Sequence, residues 1–139
     1  MVSLHEFGQA TRILYAEDDQ DTRDLICVAL NFEGFEVVCP DSPQKFITLA
    51  QAEKWDVFML DSWMPEMNGC DLCKELRKFN SVTPIVFYSA AAYETERKKG
   101  LDCGAQAYIT KPSSLDVLVE ALRSAMNPEP SIVGSIATP

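Results

Sequence analysis

The sequence predicts an α/β fold, with a parallel sheet covered by helices on both faces. Three observations point there. Short apolar runs alternate with amphipathic stretches five times along 139 residues. Runs such as Val57 to Leu60 are continuously apolar, as in strands buried on both faces. Finally, several runs end on a polar or charged residue, Asp61 above all, and open α/β sheets place their chemistry at the carboxyl ends of strands.

The totals bound the answer. A chain of 139 residues suits one domain, and 47% hydrophobic with 24% charged residues suffices for a core and excludes wholesale disorder. No apolar run approaches the roughly 20 residues that span a bilayer. The N-terminus, with His5 and Glu6, lacks the basic and apolar regions of a signal peptide, so a cytoplasmic protein is expected. A net charge of -9 argues against nonspecific nucleic-acid binding. The five cysteines, Cys27, Cys39, Cys70, Cys73 and Cys103, are odd in number and lie mostly in apolar segments; reduced thiols are expected.

Residues 1–11 show no period and read as a leader. The first strand is Arg12 to Ala16, running into Glu17-Asp18-Asp19-Gln20-Asp21. The first helix starts near Asp21, turns Leu25, Ile26, Ala29 and Leu30 inward, and stops at Gly34. Phe35 to Cys39 is the second strand. Ser42-Pro43 opens the second helix with a cap and a first-turn proline, and Phe46, Leu49 and Ala50 form its inner stripe. The third strand is Asp56 to Leu60. The third helix runs from about Cys70 to Phe79, with Leu72, Cys73, Leu76 and Phe79 on one face. The fourth strand, Pro84 to Tyr88, leads to Ser89. Ala90 to Leu101 reads as a fourth helix with a weak apolar face, expected to be the most mobile. Ala105 to Ile109 is the fifth strand. Ser113 or Ser114 caps a fifth helix with Leu115, Leu118, Val119, Leu122 and Met126 at helical spacing. Residues 128–139, rich in Pro, Ser and Gly, read as a disordered tail. Five βα units with right-handed crossovers leave few topologies, and the flavodoxin-like order 2-1-3-4-5 is common at this size.

With that order, the strand ends converge. The first delivers an acid pair, the third Asp61, the fourth Ser89 and the fifth Lys111. The pair is Glu17-Asp18, directly after Ala16, or one residue on, Asp18-Asp19. Clustered carboxylates repel one another unless a cation sits among them, and a hard divalent ion such as Mg²⁺ fits. Asp61 has the chemistry of a carboxylate nucleophile, and Lys111, Ser89 and the ion would share the charge of a phosphoryl group.

On these residues the chain resembles the receiver domain of two-component response regulators. The resemblance runs from about Arg12 to Met126 and rests on Glu17-Asp18, Asp61 with Met64-Pro65 and Gly69, Ser89-Ala90 and Lys111-Pro112, in order and at strand ends. It implies that Asp61 is the phosphorylated aspartate. It implies Asp18, Asp61 and the backbone carbonyl of Trp63 as direct Mg²⁺ ligands, with Glu17 acting through water. Lys111 would pair with the acyl phosphate, Ser89 would be the switch hydroxyl and Tyr108 its aromatic partner. A cis peptide before Pro112 is also implied. Ser113 departs from the apolar residue usual after the Lys-Pro pair.

The implied partners are a histidine kinase or histidine phosphotransfer protein, meeting the chain near Arg23, Asp24 and Cys27, and a downstream protein target at the fourth helix, fifth strand and fifth helix. The role is a signalling switch rather than an enzyme. No output domain is read in these 139 residues, so the output passes through protein contacts, unless they are part of a longer chain. A metal-dependent phosphatase is the main rival, but it would want an acid at the position of Trp63. A pseudo-receiver is the other, and the complete set of five site residues speaks against it. Trp63 and Ala91 lack side chains that could align a water, which predicts slow self-dephosphorylation. Cys70 and Cys73 form a Cys-x-x-Cys, a weak redox or zinc signal here, since the only histidine is His5.

Overall fold

A computed structural model describes residues 10–127. The expected tail, and all but the last two residues of the expected leader, lie outside them. The elements are β1 (Thr11–Ala16), α1 (Gln20–Phe32), β2 (Phe35–Val38), α2 (Pro43–Ala52), β3 (Val57–Leu60), α3 (Gly69–Arg77), β4 (Ile85–Ser89), α4 (Glu94–Asp102), β5 (Ala107–Thr110) and α5 (Leu115–Met126). All strand pairs are parallel, in the order β2-β1-β3-β4-β5. Parallel neighbours need crossover helices, and these cover both faces of the sheet.

Strand parity divides the core in two. Ile13, Tyr15, Val57, Met59 and Val86 face Ile26 and Leu30 of α1 and Leu118 and Leu122 of α5. Leu14, Phe58, Leu60, Ile85 and Phe87 face Phe46 and Ala50 of α2 and Leu72 and Leu76 of α3. All four residues of β3 are buried, so this strand is the axis of the sheet. Its last residue, Leu60, pairs with Ala16 on one side and Phe87 on the other. The residues that follow these strand ends therefore meet at one edge.

Helix ends follow local chemistry. Asp19, Ser42, Asn68 and Ser114 cap α1, α2, α3 and α5, each side chain accepting from a backbone N–H three residues on. Among the described residues, no helix is long and apolar enough to cross a membrane.

Several expectations are corrected. Helix α1 starts at Gln20, because Asp19 is the cap, and it turns Leu25 outward, 68% exposed. Helix α3 ends at Arg77, leaving Phe79 at the surface. Helix α4 starts only at Glu94. The stretch from Ala90 favours helix locally, but its backbone is engaged elsewhere. The Ala91 N–H donates to the Ser89 hydroxyl at 3.1 Å, and the Ala91 carbonyl accepts from the Tyr108 hydroxyl at 2.6 Å. Tertiary partners override the propensity of alanine. Gly100 is the only buried residue of α4, in keeping with its weak apolar face. The expectation of reduced thiols fails at one pair, since Cys70 is bridged to Cys103.

Candidate functional site

The edge is assembled by extending the sheet ladder past the strands. The Asp61 N–H donates to the Ala16 carbonyl at 3.1 Å, and the Lys111 N–H to the Ser89 carbonyl at 2.8 Å. These bonds place Asp61 beside Glu17, and Lys111 beside Ser89. Gly69 closes the loop after Asp61. Its N–H donates to the Ser62 carbonyl at 2.8 Å, and an added Cβ would strike the Asp61 carbonyl oxygen, so only glycine allows the loop to fold back so tightly. The Lys111–Pro112 peptide is cis.

Glu17, Asp18 and Asp61 each offer a carboxylate oxygen, all within 4.8 Å of one another. Their surroundings differ. Glu17 is buried and its oxygens are engaged: Oε1 accepts from the Tyr15 hydroxyl at 3.0 Å and from Lys111 Nζ at 2.7 Å, and Oε2 from the Asp19 N–H at 3.2 Å. Asp18 is exposed. Asp61 is 8% exposed, with Oδ2 at 3.5 Å from Lys111 Nζ. Asp19 accepts from the N–H and hydroxyl of Thr22, at 2.9 and 2.6 Å. Asp19 therefore serves as the helix cap, and Glu17 and Asp18 are the acids grouped with Asp61.

Burial raises the Asp61 carboxyl above the usual carboxylate range, and Glu17 adds to the rise; Lys111 and the nearby Ser89 hydroxyl pull against it. For Lys111, burial alone would lower the ammonium, but the bonds and charges of Glu17 and Asp61 prevail and hold it above the ordinary lysine value. Tyr15 is pushed up by burial and by Glu17, so it remains a neutral donor to that carboxylate. The edge is thus an acidic pocket with one ammonium, whose hard oxygen donors suit a divalent cation.

Tyr108 stands inward, 7% exposed, its ring 5.6 Å from that of Phe87. Its hydroxyl donates to the Ala91 carbonyl at 2.6 Å and lies 3.0 Å from the Ser62 hydroxyl. Ser89 is fully buried. Trp63 is 59% exposed and lines a cleft with Ser62, Asn68, Lys99 and Gly100. Two contributors escaped the reading of the sequence. Ser62 links the residue after Asp61 to Tyr108, and nothing local marks it. Tyr15 could have been found, since it lies two residues before Glu17 and strand alternation puts both on one side.

The Cys-x-x-Cys of Cys70 and Cys73, a weak signal in the sequence, does not act as a pair. Cys73 is buried in the core, its thiol donating to the Cys103 carbonyl at 3.3 Å, while Cys70 is joined to Cys103. The Glu17, Asp18 and Asp61 group is the only potential metal cluster among the described residues, so the cysteines build no zinc site there.

Comparison with known proteins agrees with this geometry. The family model of the response regulator receiver domain matches residues 13–123. A protein of Picosynechococcus described as a "probable transcriptional regulatory protein" is 38% identical over 128 residues, covering 87% of this chain and 51% of that protein. Response regulator MprA of Mycolicibacterium vanbaalenii is 31% identical over 115 residues, covering 83% of this chain and 50% of its own length. The chain therefore spans about half the length of the curated relatives it matches. Among solved structures, the receiver domain of the Francisella response regulator 1452 superposes with a TM-score of 0.78 at 28% identity, over 84% of this chain and 96% of that one. The strand order, the acidic edge and the match over nearly the whole described length lead to one conclusion: the chain belongs to the response regulator receiver domain family.

Proposed function

We propose that this chain is a signalling switch in which Asp61 accepts a phosphoryl group from a phosphohistidine on a partner kinase or histidine phosphotransfer protein. One observation carries the reading: three carboxylates within 4.8 Å of one another, with the Lys111 ammonium 2.7 Å from Glu17 and 3.5 Å from Asp61. In the transfer, an Asp61 carboxylate oxygen forms the bond to phosphorus as the bond to the histidine nitrogen breaks. Lys111 offsets charge on the phosphoryl oxygens, and the Ser89 hydroxyl donates to one of them.

Asp18, Asp61 and the Trp63 carbonyl would hold Mg²⁺, with Glu17 acting through water. Bound there, the ion would neutralise the carboxylates and the incoming phosphoryl oxygens. The engagement of Glu17 by Tyr15, Asp19 and Lys111 supports its indirect role. The Ser89 oxygen accepts from the Ala91 N–H and leaves its own proton to donate to the phosphoryl group, which ties the site to the segment that holds Tyr108. The inward Tyr108 suits the aromatic half of such a switch, read out on the α4-β5-α5 face. Helix α1 exposes Leu25, Val28 and Phe32, a surface beside Arg23, Asp24 and Cys27 suited to the donor protein. A cytoplasmic location goes with a donor charged by intracellular ATP. With neither Trp63 nor Ala91 able to align a water through its side chain, the aspartyl phosphate is expected to be long-lived.

Incubation with Mg²⁺ and acetyl phosphate, or with beryllofluoride, tests the proposal. A stable single adduct on Asp61, lost in Asp61→Asn, is the expected result. Failure of either reagent to add would overturn it, and rapid multiple turnover of acetyl phosphate would favour a phosphatase instead.

A further inference from the structure

Cys70 is the second residue of α3, and Cys103 follows the last residue of α4. They lie 33 residues apart in sequence, with Cα atoms 5.8 Å apart, inside the range of about 4.4–6.8 Å that a disulfide spans without backbone movement. Both are half-buried and open to a cleft lined by Lys74, Lys98, Lys99 and Asp102. Lys98 is paired with Asp102 at 2.9 Å, whereas Lys74 and Lys99 form no ion pair among the described residues. The bridge therefore faces solvent beside two uncompensated cations. Exposed disulfides are the labile ones, and local positive charge draws anionic reagents.

We propose that Cys70 and Cys103 form a reversible thiol–disulfide couple whose oxidant is a small anionic disulfide of the glutathione class. The Cys70 thiolate attacks one sulfur of the oxidised reagent. A Cys70–reagent bond forms, the reagent's own disulfide breaks, and one reagent thiol departs. The Cys103 thiolate then attacks the Cys70 sulfur and expels the second reagent thiol. The two cysteines lose two electrons and two protons, and the reagent gains them. Excess reduced reagent reverses both steps.

The location gives the couple a consequence. Gly69, next to Cys70, is pressed against the Asp61 carbonyl, and Gly100, three residues before Cys103, is pressed against the Tyr108 ring, where an added Cβ would lie 2.9 Å from Cδ2. The bridge thus fastens the end of α4 to the first turn of α3, whose Gly69 closes the loop after Asp61. Little else holds this helix, since Gly100 is its only buried residue. Oxidation restrains α4, and reduction frees it. Cys73 takes no part, being fully buried.

The full chain, first reduced, is equilibrated with mixtures of reduced and oxidised glutathione and mapped by peptide mass spectrometry. The expected product is a Cys70–Cys103 bridge that reverts in excess reduced glutathione, with Cys103→Ser giving a stable mixed disulfide on Cys70 instead. Hydrogen exchange over residues 94–103 should be on the order of tenfold slower in the oxidised form. A bridge between Cys27 and Cys39 only, no bridge, or one that resists reduced glutathione would overturn the couple. Equal exchange in both forms would overturn the restraint on α4. Bridge formation does not require Asp61 to accept a phosphoryl group, so this test and the phosphorylation test fail independently.

Discussion

Replacing Asp61 with asparagine should stabilise the metal-free protein while abolishing phosphorylation. The amide keeps the shape of the side chain and removes one charge from a buried cluster. At an effective dielectric near 20, like unit charges no more than 4.8 Å apart cost at least about 3.5 kcal/mol, and opposite charges 3.5 Å apart gain about 4.7 kcal/mol. Repulsion from Glu17 therefore cancels most of the attraction to Lys111. Asp18 is exposed, so its repulsion is screened to roughly 1 kcal/mol, which removes what is left of the attraction. The burial of a carboxylate only 8% exposed then tips the balance against the ion. The expected net gain for Asp61→Asn is about 1–2 kcal/mol, or about 4–8 °C in Tm for a domain of this size.

The pH dependence has a definite sign. The folded protein holds the Asp61 carboxyl above its ordinary value. A raised group contributes stability that is fully present below the unfolded pKa of about 3.9 and is lost as pH rises through the folded value. The gap between variant and wild type should be widest near neutrality and close as pH approaches about 4. Thermal unfolding followed by circular dichroism in chelator, from neutral pH downward, measures this. Added Mg²⁺ should raise the wild type more than the variant. A variant that melts below the wild type at pH 7 in chelator would refute the reasoning, because attraction to Lys111 would then outweigh repulsion and burial together.

Other substitutions probe the same frame. Lys111→Met leaves the buried acids without their cation and should cost about 3 kcal/mol in chelator by urea unfolding, with part restored by Mg²⁺. Because Lys111 is held above its ordinary value, its contribution is present below about pH 10 and fades as pH rises through the folded value. Gly69→Ala drives a methyl into the Asp61 carbonyl; a loss of about 2 kcal/mol or more and of beryllofluoride binding is expected, checked by unfolding and fluorescence titration. Arg77→Ala removes the donor to the carbonyls of Thr83, Asn80 and Gly104, at 2.7, 3.1 and 2.9 Å, and should cost roughly 2–4 kcal/mol in urea unfolding with the phosphorylation site intact.

The sequence by itself determined the alternation of strands and helices, the single parallel sheet and the acids, hydroxyl and lysine that stand at its carboxyl edge. The reason is local: a buried strand must be apolar, so the polar residue that ends it, as at Asp61, Ser89 or Glu17, marks where the chain leaves the core. The cap at Ser42 was legible for the same reason, since a helix end needs a side-chain acceptor close by, and the choice between Ser113 and Ser114 fell to Ser114 in the structure. Only the tertiary structure divided the labour among neighbouring acids. Glu17, Asp18 and Asp19 are equivalent along the chain, but Glu17 meets a lysine 94 residues away, Asp18 stays open, and Asp19 turns back to cap α1. The late start of α4 was hidden likewise, because the bond between Ala91 and Tyr108 joins residues 17 apart. So was the bridge of Cys70, which was expected as a reduced thiol and is joined to Cys103 where α3 packs against α4. Periodicity reports which face of an element is buried; it carries no information about which distant side chain is waiting there.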